Sequence, residues 1–140
     1  MILEQNKALA RRAIEEVWSK ENLEVAPEVY GPHFVSHQHS HPHSRDVLGL
    51  STLIEFVREF REAFPDFHDT IDDQIAEGDK VVTRFTSTGT HRGILMGLEP
   101  TNKRASWMGI VIDRIEEGKI VEQWVSWDLF GMMQQLGGIS

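Results

Sequence analysis

Up to residue 64 the apolar positions recur every three or four residues, and beyond Phe67 they recur every two. The first regime predicts helices and the second strands. Ala10, Ala13, Ile14, Val17 and Trp18 form one buried stripe of a first helix, expected to stop near residues 19–22. Asn22 is placed to cap a short second helix, which Gly31-Pro32 should end. A short strand after His33 then crosses toward a third helix. That helix has Ser51 as its expected cap, Leu53, Ile54, Val57, Phe60 and Phe64 facing inward, and Pro65 as its stop. Residues 67–91 read as two strands joined at Glu77-Gly78-Asp79, and residues 104–128 as a second hairpin turning at Glu117-Gly118. "LFGMMQQLG" reads as a last short helix ended by Gly137.

At 140 residues the chain reads as a single domain, residues 1–140, and the two hairpins as a mostly antiparallel sheet of about four strands. In "SWMGIVIDRI", Ser106, Met108, Ile110 and Ile112 lie on one face of the strand, while Trp107, Gly109 and Val111 lie on the other. A strand apolar on both faces is covered on both. The few short helices cover one of them, so the other is expected to pack on a second copy of the chain, as a homodimer through the sheet. Between the hairpins, "RGILMGLEPTNK" is an apolar loop with glycine hinges, suited to lie over a pocket.

Composition narrows the partners. The formal net charge is −8, with 22 acidic against 14 basic residues and no basic run, so nucleic acid is not an expected partner. There are no cysteines, which excludes disulfides, thiolate metal sites and a cysteine nucleophile. No segment approaches the length and apolarity of a membrane span, and the N-terminal stretch lacks a signal peptide's hydrophobic run. A cytoplasmic protein without a membrane partner is the expectation.

Three stretches, "GTHRGILMGLEPTNKRASW", "DRIEEGKIVEQW" and "DLFGMMQQLG", resemble successive signatures of the SnoaL-like polyketide cyclases, within the nuclear transport factor 2-like superfamily. The order of elements agrees over nearly the whole chain. The resemblance implies a cone-shaped α+β fold, in which a curved, mostly antiparallel sheet wraps around the N-terminal helices and encloses a pocket for a small hydrophobic molecule. It also implies a homodimer packed through the sheet. The best known cyclases of that family close a ring by an intramolecular aldol reaction without metal or cofactor, using an aspartate and a histidine. Laid on this chain without gaps, their pattern puts the histidine at Val111 and the aspartate at Val125, and neither valine can move a proton.

Other residues must then carry any proton transfer. His37, at the implied rim of the pocket, is the first candidate base, with Asp128 and His91 behind it. Asp128 could equally cap the last helix, and His91 could serve a structural hydrogen bond. Trp107, Val111, Gln123, Val125 and Trp127, with Leu95 and Met96 of the apolar loop, are the candidate ligand contacts. In "HQHSHPHS", His37, His39 and His41 alternate, a spacing at which H-x-H pairs can share a metal, with Asp46 or His91 as a further ligand. Pro42 interrupts the strand, so the tract reads as a solvated loop, and no metal or cofactor is expected. Two functions follow: an acid–base enzyme of cyclase, isomerase or dehydratase type, or a non-catalytic binder of a hydrophobic metabolite.

Overall fold

The computed structural model describes residues 2–40 and 46–139. Its helices are α1 (Ile2–Arg12), continued by a π-helical segment Ala13–Ser19, then α2 (Ala26–Val29), α3 (Leu50–Ala63) and α4 (Leu129–Leu136). Its strands are β1 (Tyr30–Gln38), β2 (Val47–Leu48), β3 (His68–Glu77), β4 (Lys80–Thr90), β5 (Arg104–Glu116) and β6 (Lys119–Trp127). They form one six-stranded sheet in the order β2-β1-β6-β5-β4-β3. β3 through β6 are joined antiparallel, and β1 runs parallel to β6. This is the expected α+β fold, with the sheet wrapped around the N-terminal helices.

Register shifts between Ile71 and Asp73 and between Arg114 and Ile115 are bulges, which bend a sheet and increase its twist. The concave face so formed receives the helices. Ala10, Ala13, Val17, Leu53 and Val57 pack there with Tyr30, Phe34, Val81 and Ile120. A second cluster, with Phe64, Phe67 and Trp107, buries Leu129, Met132 and Leu136 of α4. Trp18 packs against both clusters.

The hairpins follow the sequence pattern closely. Glu117 and Gly118 both have positive φ, 50° and 76°, as a type I′ turn requires. The N-terminal half departs from it. The strand begins at Tyr30, so Gly31-Pro32 lies inside β1 rather than ending a helix. Proline is accommodated because the pairing with β6 is irregular between Tyr30 and Val35, where no ladder N–H is needed. α3 starts at Leu50 after Gly49, whose φ of 85° makes the reversal out of β2, so Ser51 lies one residue inside the helix.

Gly109 is fixed by packing rather than by backbone. A Cβ there would clash with the ring edge of Phe85 and lie 2.8 Å from Trp127 Cβ. Gly109→Ala is therefore expected to cost about 1–3 kcal/mol through displaced aromatic rings. Urea denaturation showing an unchanged midpoint would contradict that packing.

Candidate functional site

Alternation along the strands decides what faces the concave interior. On β5, Trp107, Val111 and Asp113 point inward; on β6, Gln123, Val125 and Trp127; on β4, Phe85 and Ser87; on β3, Asp69. With Trp18, Phe56, Phe60 and Phe67 from the helical side they line a partly open cavity of about 90 Å³. The wall is largely aromatic. Phe60 stands edge-on to Trp107 and Trp127 at centroid distances of 6.1 and 5.9 Å.

Two carboxyl groups interrupt this apolar wall. Asp113 is 1% exposed and accepts a hydrogen bond from Gln123 Nε2 at 2.8 Å. Asp69 is buried too, and Ser87 Oγ donates to its Oδ1. Each keeps a second oxygen without a protein partner among the described residues. Burial pushes both carboxyls up to about 7. Ser87 and the nearby Arg61 guanidinium oppose the shift at Asp69, while at Asp113 only the Gln123 hydrogen bond does. Tyr30, also on the cavity wall, has its phenol raised first by burial and then by the charge of Asp113. The register puts Asp69 opposite Ser87, itself opposite Trp107, six residues along β5 from Asp113. The carboxyls thus occupy separate parts of the wall rather than sharing one proton.

The backbone around Asp69 is pinned. Asp69 N–H donates to Ser19 Oγ at 2.8 Å, tying the start of β3 to the end of the π-helical segment. Arg61 donates to the carbonyls of Ser19, Phe67 and Pro65, so its cation is held beside Asp69 by backbone oxygens. Such support fixes where the reactive oxygens sit.

The family model of the SnoaL-like polyketide cyclases matches residues 8–136. The chain belongs to that family. Among solved structures, a candidate SnoaL-like polyketide cyclase from Jannaschia sp. CCS1 superposes with a TM-score of 0.89 at 24% identity, covering 99% of this chain and 96% of that one. AclR, a candidate hydroxylase from Streptomyces galilaeus, gives 0.84 at 26% identity with 99% of both chains covered. IdmH, a candidate polyketide cyclase from Streptomyces antibioticus, gives 0.83 at 27% identity, covering 95% of this chain and 99% of that one. No curated protein matches the chain. The SnoaL-like fold thus hosts relatives assigned to different chemistries, and the site has to name the reaction.

The residues singled out from the sequence of this SnoaL-like chain divide sharply. Trp107, Val111, Gln123, Val125 and Trp127 all line the cavity. Val111 and Val125 face each other across β5 and β6 as an apolar pair. His37, Asp128 and His91 do not line the cavity. His37 follows Ser36 on β1 and so points from the opposite face of the sheet, between Asp46 at 3.0 Å and Glu122 at 2.8 Å, stacked on Trp124. The Glu122 hydrogen bond, followed by that of Asp46, raises its pKa against partial burial. Asp128 caps α4, accepting from Gly131 N–H at 2.8 Å. His91 is fully buried, and its Nδ1 accepts from Thr101 N–H at 3.2 Å while its backbone N–H donates to the Lys103 carbonyl. It staples the loop from Arg92 to Lys103. In that loop Leu95 packs into the second core cluster, and Met96, at the tip of a tight turn, is 61% exposed. Neither touches the cavity.

Asp69 and Asp113 went unnoticed in the sequence. For Asp113 a signal exists, since it shares strand parity with Trp107, Gly109 and Val111 on the enclosed face. Asp69 carries none, because the bulge after Ile71 breaks the alternation that would assign its face. His41 and His43 lie outside the described residues. Among the described residues, no three His, Asp or Glu side chains converge as metal ligands would.

Proposed function

We propose that this SnoaL-like protein is an acid–base enzyme that transfers protons on a small, largely apolar ketone, with Asp69 and Asp113 in place of His37 as the groups that handle the proton. The observation that carries this reading is the pair of buried carboxyls, each raised to about 7 and each keeping a free oxygen in an aromatic cavity. A carboxyl near half protonation at neutral pH is tuned for general acid or base work. Arg61 favours the charged form of Asp69, which makes Asp69 the base for a C–H beside the carbonyl. Asp113 faces no such cation and, as the neutral acid, donates to a ligand oxygen at its own part of the wall. The enolate can then attack a second carbonyl, closing a ring, or take a proton back at another carbon, moving a double bond.

The test is exchange of the α-protons of 2-tetralone in D2O, followed by NMR. The wild type is expected to accelerate exchange in proportion to enzyme concentration. Binding of 2-tetralone without acceleration would support the carrier reading, which the apolar Val111 and Val125 pair favours. His37→Ala is expected to leave the exchange rate within about twofold, since its ring is on the far side of the sheet; a loss above tenfold would return His37 to the site.

The homodimer belongs to the same proposal, as does a cytoplasmic location. The convex face of the sheet presents Met108, 51% exposed, and Ile110, 48% exposed, beside Ile112 and Trp124. A patch of this kind is the normal mark of an interface. Ile110→Lys is expected to shift the protein in analytical ultracentrifugation from twice the 16.0 kDa chain mass to the mass of one chain. A wild type that sediments as a single chain would overturn the dimer.

A further inference from the structure

A single file of hydrogen bonds crosses three strands at one end of the cavity. Gln38 Nε2 donates to Ser36 Oγ at 2.7 Å, Ser36 Oγ donates to Gln123 Oε1 at 2.9 Å, and Gln123 Nε2 donates to Asp113 Oδ1 at 2.8 Å. The register explains the file. Ser36 on β1 lies opposite Gln123 on β6, and Gln123 lies opposite Asp113 on β5, so three side chains stand in one row, with Gln38 two residues further along β1. Ser36 has no exposed surface, so no solvent competes for its hydroxyl.

The orientation of the Gln123 amide, oxygen toward Ser36 and NH2 toward Asp113, sets how the protons along the file are shared. A serine hydroxyl has one, and Ser36 commits it to Gln123, so its oxygen can only accept from Gln38. The Gln38 amide therefore turns its NH2 toward Ser36 and presents its carbonyl elsewhere. That carbonyl has no partner among the described residues, and Gln38 lines the cavity. At the far end Gln123 occupies Oδ1 of Asp113, so the proton of the neutral carboxyl sits on Oδ2. The file ends in an acceptor at Gln38 and a donor at Asp113.

We infer that Gln38 determines specificity: its carbonyl accepts a hydrogen bond from a ligand hydroxyl while Asp113 Oδ2 engages the ligand's carbonyl oxygen, so the ligand is a neutral ring-bearing hydroxy ketone. This rests on the proton-transfer reading of the cavity and adds the group that the ligand must carry at its second end. A plain ketone leaves the Gln38 acceptor unpaired, and an anionic ligand meets an acceptor at one end and a carboxyl at the other.

The test uses quenching of tryptophan fluorescence, with Trp18, Trp107 and Trp127 on the cavity wall as reporters. Acetophenone, 4-methoxyacetophenone and 4-hydroxyacetophenone are titrated at pH 6, where the phenol is neutral. The hydroxy compound should bind about tenfold tighter than the methoxy compound, the ratio one hydrogen bond supplies. Gln38→Leu should bring that ratio to about one. Ser36→Ala, which frees the Gln38 amide to turn, should also lower the ratio. A wild-type ratio near one with acetophenone still bound overturns this inference alone, as does a ratio that survives Gln38→Leu. Failure of all three ketones to bind overturns the inference and the proton-transfer reading together.

Discussion

Asp113→Asn is expected to slow α-proton exchange by about 10²–10⁴-fold, and at pH 8 the same substitution should make the protein more stable. Burial holds the Asp113 carboxyl at about 7, against an ordinary value of 3.8. Below pH 3.8 the group is protonated in both the folded and unfolded chains and costs nothing. Between 3.8 and 7 the unfolded chain ionises while the folded one stays neutral, so stability falls as pH rises through that window, and the full penalty stands above 7. A shift of this size corresponds to about 4 kcal/mol at most. Asparagine cannot ionise, and its side-chain oxygen still accepts from Gln123, so it removes the penalty without opening a cavity. Melting temperatures should show Asp113→Asn above the wild type at pH 8 and level with it near pH 4. A variant that exchanges protons normally, or loses as much stability at pH 8 as at pH 4, would remove Asp113 from the site.

Trp107→Ala is expected to cost about 3–5 kcal/mol, the largest loss of stability any single truncation in the wall should produce. The indole is 4% exposed and meets Phe64 at a centroid distance of 5.2 Å, Trp127 at 5.9 Å, Phe60 at 6.1 Å and Phe67 at 6.2 Å. These rings come from α3, β6 and the segment leading into β3, so the void would lie where the second core cluster and the cavity wall are the same atoms. Helix and sheet are both held by covalent connections that prevent full collapse into it. Trp107→Phe, which keeps an aromatic face toward Phe64, should recover more than half of the loss. Urea denaturation giving less than about 1 kcal/mol for the alanine variant would mean that the rings repack freely, and that the cavity has no rigid wall.

The strand half of the fold was legible because period-two patterning and the Glu117-Gly118 turn act locally. A short strand after His33 was legible, but the extent of β1 and its partner were not, since its pairing with β6 joins Ser36 to Gln123 across the length of the chain, and no local pattern announces a parallel partner. The same non-locality hid the site. Trp107, Val111, Gln123, Val125 and Trp127 follow from alternation along two strands, and all five line the cavity. His37 was favoured because the resemblance puts it at the rim of the pocket, but a shift of one residue along a strand changes its face, and Ser36 and Gln38 are the inward neighbours. Asp69 and Asp113 matter through burial, which depends on the helices packed over them; strand parity puts Asp113 on the enclosed face, whereas the bulge after Ile71 hides the face of Asp69.

Proton transfer in this cavity requires that its two carboxyls hold protons near neutral pH. The direct measurement is a ¹³C NMR titration of the aspartate side-chain carboxyls in the wild type, with the two resonances assigned through Asp69→Asn and Asp113→Asn. Midpoints of about 7 for both groups are the predicted result. Midpoints within the ordinary aspartate range, near 3.8, would contradict it, because both groups would then be fully ionised at neutral pH and neither could serve as the acid.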